Sequence, residues 1–459
     1  MAAADGVWSP DRRRLTLGLT LTISFVASEA LAVSTVLPKI KDDLDGIELY
    51  GWVMSAFFLG TMVGIVVAGQ SADRLGAAPA FTLGLVLFVA GLLAGGIAPS
   101  MLVLVLARAV QGFGAGAVPA IGYFCIGRSY PDSLKPRMFA VLATAWVVPG
   151  VLGPVAASLI EHAFGWRWVF LALVPLVITS GFFTLPAMRP IGPGAAHPDG
   201  PAVSRLPVVL LAAAGAAALL SGLGNLSSNL PLGVGLLAVG LPLTWVTYRR
   251  LVPPGTLTAR PGLPAAILAR GSLTFAFFGV DGFVPLALAE VRGLDPLLIG
   301  VSVTLTTLAW TTAAWVQERL VQDVGARRLV MAGHAIVLVS VGVTALGLFP
   351  SVPLAVPFAG WTLGGFGIGL AYAPISLTVL RSAEEGREGA ISASLQLTEQ
   401  LGIALGIGAG GAAIKVGHGL GWTSTTGIAI AWAIGATVAL AGVVIATRLP
   451  GPVPAEVPA

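Results

Sequence analysis

Three carboxylates and one guanidinium stand where a hydrocarbon environment should exclude them. Glu29, Asp281, Glu399 and Arg108 each interrupt a run of about twenty mostly apolar residues. An unpaired charge in the middle of a membrane helix costs about 2.5–3.5 kcal/mol on insertion scales. Such side chains must therefore face protein or a wet cavity, paired with one another or, for the acids, neutralised by a proton. An acid in that position can take up and release protons, or hold a cationic substrate. Arg108, the one cation read at comparable depth, can tune an acid or bind an anionic group. Thr274, Asp281, Pro285 and Leu288 share roughly one helical face, with Phe277 and Phe278 a turn before the acid. Ser392, Gln396 and Glu399 recur at i, i+4 and i+7, a polar stripe on one face. For each acid the competing reading is a fixed hydrogen bond or ion pair that only holds helices together.

The elements that must position these groups follow from composition. The chain has 459 residues, of which 56% are hydrophobic and 10% charged, with a mean hydropathy of +0.91. A soluble domain carries roughly 25% charged residues, so this chain cannot coat a water-facing surface. The long continuous runs predict membrane-spanning helices rather than alternating barrel strands. They fall at about 15–38, 50–70, 79–98, 101–126, 137–161 and 166–187. Two more lie at about 206–224 and 230–248. The last six lie at about 264–290, 296–317, 328–348, 353–380, 389–414 and 424–447, giving fourteen spans in all. A soluble enzyme, a nucleic-acid module and a disordered scaffold are excluded. The basic pI of about 9.5 is no nucleic-acid signal, because the basic residues sit between the apolar runs. The single cysteine, Cys125, excludes a disulfide framework or a thiolate metal cluster. The first run is too long for the h-region of a cleavable signal peptide.

Placing both termini in the cytoplasm puts most lysines and arginines on that side, Arg12–Arg14, Arg74, Arg128, Arg249, Arg250, Arg270, Arg327, Arg328 and Arg448 among them. Lys39, Lys41, Arg167, Arg292 and Lys415 fall outside. The expected organisation is a six-helix bundle over 1–188, a linker with two extra helices over 189–263, and a second six-helix bundle over 264–459. The two extra helices have no charge at mid-depth, and so should lie outside the twelve-helix core.

Short motifs recur in a set order. The junction of the second and third spans reads Gly69-Gln-Ser-Ala-Asp73-Arg74-Leu-Gly76. The fourth span has Arg108-Ala-Val-Gln111-Gly112-Phe-Gly114-Ala-Gly116, and the fifth Pro149-Gly150-Val-Leu-Gly153-Pro154. The sixth is entered by Gly165-Trp166-Arg167-Trp168-Val-Phe170, and Glu29 precedes Leu37-Pro38 in the first. Together these resemble the major facilitator superfamily over nearly the whole chain. More narrowly, they resemble its fourteen-helix drug:proton antiporter branch. The resemblance implies an all-α integral membrane protein of the major facilitator fold, with two six-helix bundles, two additional transmembrane helices and both termini cytoplasmic. It implies a cytoplasmic gate at Gly69, Asp73, Arg74 and Gly76, an antiporter motif at Pro149, Gly150, Gly153 and Pro154, and proton or substrate coupling at Glu29, Arg108, Asp281 and Glu399. This chain departs from the family pattern in Ala77, Ala78 and Pro79, where basic residues are usual. Ala157 and Ser158 replace a glycine pair, and Glu29 stands for the commoner aspartate. Physically, Gly69 and Gly76 read as tight-turn residues. Pro154 removes a backbone donor and bends its helix. Trp166, Arg167, Trp168 and Phe170 read as interfacial anchors.

Trp146, Phe278, Trp310 and Tyr372 are candidate cavity aromatics, with lipid-facing or packing roles as the alternative. A greasy aromatic wall with one or two acids suits lipophilic, often cationic, substrates. Gly364-Gly-Phe-Gly367-Ile-Gly369 resembles a dinucleotide fingerprint only on paper. It lies in a membrane helix with no preceding strand, where close helix packing explains it. The expected protein is a monomeric, proton-coupled exporter of small lipophilic compounds in the plasma membrane, working by alternating access. Its partners are substrate, protons and the bilayer, with no cofactor, no metal, no nucleic acid and no enzymatic constellation. The alternatives are an exporter of lipid-like substrates, an uptake symporter or uniporter on the same fold, and a membrane scaffold.

Overall fold

The computed structural model describes residues 6–131, 147–193, 205–382 and 388–450, with isolated positions between 134 and 145. Among the described residues the regular structure is all helical. Thirteen helices among the described residues are long and apolar enough to cross a membrane. In chain order the first are α1 (Arg13–Leu44), α2 (Tyr50–Leu75), α3 (Ala77–Gly96) and α4 (Met101–Ser129). The shorter α5 (Val147–Phe164) is the later part of the expected fifth span, whose beginning falls largely outside the described residues. Then come α6 (Arg167–Met188), α7 (Arg205–Gly224), α8 (Leu230–Leu251) and α9 (Leu263–Glu290). The last are α10 (Pro296–Val324), α11 (Ala326–Ala345), α12 (Ala355–Arg381), α13 (Glu388–Gly419) and α14 (Ser424–Ala446).

Two helices are broken where proline removes a donor. In α6 the break at Ala172 separates Arg167–Leu171 from Leu173–Met188, and Pro175 cannot bond the Leu171 carbonyl. In α9 the first segment ends at Asp281 and the second begins at Val284, because Pro285 cannot bond the Asp281 carbonyl. The break leaves Asp281 at a helix end, where its side chain and its backbone carbonyl both need partners.

The chain divides into two compact units. One comprises Met1–Ala213 with Asp295–Thr304, the other Ala214–Leu294 with Leu305–Ala459. In the first unit α4 lies directly against α2. A Cβ on Gly112 would stand 1.9 Å from the Phe57 carbonyl oxygen, and one on Gly116 would stand 2.3 Å from that of Thr61. Only glycine lets the two backbones come this close, which is how membrane helices gain dispersion contact without a hydrophobic driving force. The second unit uses the same device. Cβ atoms on Gly365 and Gly369 would strike the carbonyls of Thr306 and Trp310, and one on Gly367 that of Gly333. The glycine run that mimics a nucleotide fingerprint is thus a packing stripe between α12, α10 and α11.

Gly76 adopts φ +90° between α2 and α3, a left-handed conformation that L side chains resist. Ala77 N–H then donates to the Ile191 carbonyl just past α6. Gly69 differs from its sequence reading: it lies inside α2, and a Cβ there would meet nothing within 4 Å. The extra helices α7 and α8 pack through small residues at Gly215, Gly222 and Gly240. They join the second unit through Leu220 against Gly408, the Tyr248 hydroxyl with Thr398 Oγ1 (3.0 Å) and Ser394 Oγ to the Leu251 carbonyl (2.8 Å). The outward face of α8 is lipophilic and exposed at Leu232, Val234, Val239, Leu241, Trp245 and Val246.

Candidate functional site: buried charges in each unit

In the first unit, α1 and α4 bring Glu29 and Arg108 together. Neither side chain has any solvent exposure. Arg108 Nη1 donates to Glu29 Oε1 and, over 2.8 Å, to Gln111 Oε1, one helical turn along α4. Its Nε donates to the Val53 carbonyl at 3.3 Å, and Nη2 lies 3.9 Å from Met54 Sδ. The guanidinium also sits 4.2 Å from the centre of the Phe57 ring, so α2 supplies a π face to the cation. Among the described residues, Glu29 Oε2 and Gln111 Nε2 are buried without a hydrogen-bond partner. Gly153 of α5 approaches the Ser28 backbone beside Glu29, with a hypothetical Cβ 3.7 Å from the Ser28 carbonyl oxygen. Pro149, Gly150 and Pro154 are buried in the same helix. Asp73 and Arg74 are exposed at the end of α2.

The second unit holds two further charge sites joined by aromatic rings. Asp281 Oδ1 accepts from the buried Trp361 indole of α12 at 2.7 Å. Trp361 stacks on Phe277 (4.9 Å between centroids), and Phe277 meets Phe278 and Trp310 edge to face at 5.1 and 5.7 Å. Trp310 lies 5.5 Å from Tyr372, whose hydroxyl donates to Glu399 Oε1 at 2.8 Å. The rings therefore form a continuous line from Asp281 to Glu399. Trp146 lies outside the described residues.

Arg270 corrects the sequence reading. The sequence places it with the cytoplasmic segments and leaves Arg108 as the one deep cation. It is in fact buried inside α9, 1% exposed. Its guanidinium lies 3.5 Å over the Tyr372 ring, and Nη2 donates to the Tyr372 carbonyl (2.8 Å) and to Ser376 Oγ. Nη1 stands 3.9 Å from Glu399 Oε2, and among the described residues Nε and Nη1 have no hydrogen-bond partner. The signal was present: Arg270 falls within the apolar run read as 264–290, yet positive-inside counting drew it to the membrane edge. Gln111 stands in the fourth-span motif but carries no role in the sequence reading, and Trp361 is not singled out there because nothing in an apolar run announces an indole donor.

Trp166 and Phe170 are buried. The Trp166 indole and Arg167 Nη1 each donate to Asp43 Oδ2 at 2.9 Å, tying the start of α6 to the end of α1. Trp168 alone of the ring-bearing residues in that motif is exposed. Among the described residues no group of His, Cys, Asp and Glu could hold a metal ion.

Long apolar helices that bury isolated charges against polar and aromatic partners define a multi-pass membrane protein built around transport rather than around chemistry on a substrate. Residues 17–407 match the Major Facilitator Superfamily, and the chain belongs to it. It is a transporter of small molecules, not an enzyme. A probable multidrug-efflux transporter of Mycobacterium tuberculosis is 26% identical over 96% of this chain and 96% of its own length. The multidrug transporter protein MdtP of Bacillus subtilis is 24% identical over 89% of this chain and 76% of its own. Among solved structures, an auto-inhibited POT family peptide transporter aligns over 96% of this chain and 99% of that one, at TM-score 0.65 and 17% identity. The human organic anion transporter MFSD10 aligns over 95% and 99%, at TM-score 0.63 and 15% identity. At these identities the structural likeness concerns the fold alone.

Proposed function

We propose that this transporter exports small lipophilic compounds in exchange for protons, by alternating access, as a monomer in the plasma membrane. The organisation that goes with this reading is two six-helix bundles, 1–188 and 264–459, linked by the extra helices of 189–263, with both termini cytoplasmic. The observation that carries it is the enclosed Glu29–Arg108 pair, with a carboxylate oxygen that has no partner among the described residues. A proton arriving at Glu29 weakens its hold on Arg108, so protonation and helix packing are linked through one contact. The efflux names of the relatives support the direction of transport. Asp281 and the loosely paired Arg270–Glu399, set along an aromatic wall, suit a lipophilic substrate with a charged or polar end. The gate residues Gly69, Asp73, Arg74 and Gly76 and the antiporter residues Pro149, Gly150, Gly153 and Pro154 would control which side is open. The membrane potential supplies about 2.3 kcal/mol per proton per 100 mV, in addition to the pH term.

The test is transport in inverted vesicles made acidic inside. Addition of a lipophilic cationic dye is expected to drain the proton gradient, read by a pH-sensitive probe, while the dye accumulates in the lumen. Dye uptake that is indifferent to the gradient would identify a uniporter. Accumulation only in right-side-out vesicles would identify uptake.

A further inference from the structure

The second unit contains an apolar cavity of about 340 Å³ that none of the transport residues above lines. Its walls come from the extra helices and the bundle they rest on: Leu219 of α7, Leu241 and Trp245 of α8, Phe275 of α9, Leu405 of α13 and Ile445 of α14. Leu257, in the connection between α8 and α9, lines one end. Leu241 and Trp245 on α8 and Ala441 on α14 line it and are exposed, so the cavity opens at the lipid-facing surface. An apolar cavity of less than half this size already stays dry and takes up a hydrocarbon guest. A cavity open to a bilayer will be filled from it.

The charges at one end indicate which lipid. Arg249 follows Trp245 by one turn of α8, and Arg448 follows Ala441 and Ile445 by i+7 and i+3. Both arginines are exposed, and both continue a wall of the cavity beyond the end marked by Leu257. Arg448 Nη1 donates to the carbonyls of Thr258 (2.9 Å) and Ala259 (3.2 Å), and its own carbonyl accepts from Gly262 N–H. Those bonds fix the floor of the cavity and hold that guanidinium at its rim. Basic residues at the end of an apolar slot between membrane helices match a phosphate at headgroup depth.

We propose that this cavity holds one acyl chain of an anionic glycerophospholipid, with its phosphate against Arg249 and Arg448. The lipid then fills the seam where α7 and α8 meet α9, α13 and α14, and it is part of the folded second unit.

Native mass spectrometry of the purified full chain tests this, using phosphatidylglycerol and phosphatidylcholine of identical acyl chains. The wild type is expected to retain one phosphatidylglycerol through delipidation and to prefer it over phosphatidylcholine. Each arginine near the surface contributes about a fivefold preference, so R249Q/R448Q should lose at least tenfold in that preference. Ala441→Phe, which puts a ring in the opening, should lose retention of either lipid. If Ala441→Phe lowers the yield of folded protein, Ala441→Leu serves as the milder block and should reduce retention by a smaller factor. Equal retention of the two lipids by the wild type would overturn the proposal, and so would unchanged preference in R249Q/R448Q.

Discussion

At the scale of residues, Glu29 and Arg108 are one unit and must be tested as one. Glu29→Gln keeps shape and hydrogen-bonding capacity but cannot ionise, and it should lower proton-driven export at least tenfold. Because Arg108 would be left as a buried cation without its counter-charge, the same change should also cost stability, up to about 3–5 kcal/mol. Replacing both with neutral residues, as in E29Q/R108M, should restore most of that stability but none of the proton-driven export. Wild-type proton coupling in the double variant would show that the pair is only structural. Asp281 presents a different problem, since its partner is an uncharged indole. Trp361→Phe retains the stack on Phe277 and deletes the donor, so it should destabilise by about 1.5–3 kcal/mol. A melting curve in detergent reads this directly, and a midpoint equal to the wild type would mean that water replaces the indole. Asp281→Asn keeps an acceptor for Trp361, which separates folding from coupling at this site. The sequence revealed the three acids and Arg108, because burying a charge is costly whatever its neighbours are. It did not reveal Arg270, because one arginine a few turns into an apolar run reads equally well as a membrane-edge anchor.

At the scale of elements, glycine positions sort into those under contact and those that are not. Gly112→Ala places a methyl group 1.9 Å from a backbone oxygen that cannot rotate away. The expected cost is about 1–3 kcal/mol as α2 and α4 separate. Gly69→Ala is the internal control: its Cβ meets nothing, and alanine favours the helix by up to about 1 kcal/mol. Thermal unfolding of the two variants side by side should move the midpoint in opposite directions. A loss of stability in Gly69→Ala would show that this glycine packs in another conformation, as a gate residue would. The helices themselves were legible from run length. Their breaks in α6 and α9 were less so, although Pro175 and Pro285 account for them once the freed carbonyls are located. The aromatic line from Trp361 to Tyr372 needed the packing of α9, α10 and α12, which no local pattern encodes.

For the whole molecule, the testable statement is orientation. The basic residues cluster on the side assigned to the termini, and the single cysteine, Cys125, is buried. A cysteine introduced near either terminus should thus be labelled by a membrane-impermeant maleimide in inverted vesicles and protected in right-side-out ones. One introduced in place of Lys415 should behave in the opposite way. Labelling of the two termini from opposite sides would require an odd number of crossings and would end the fourteen-span reading.

Composition and run length alone determined that this chain is a helical membrane protein, where most of its spans lie, and which acids need a reason to be there. Each of those conclusions rests on the cost of moving one residue, or one stretch of residues, out of water, and that cost is local. Which partner each buried charge meets was decided only by tertiary structure. Glu29 and Arg108 are 79 positions apart, and Trp361 and Asp281 are 80 apart. Their meeting depends on how closely glycine-lined helices approach and on where proline breaks them. Those distances are set by many contacts at once, and no single stretch of sequence contains them.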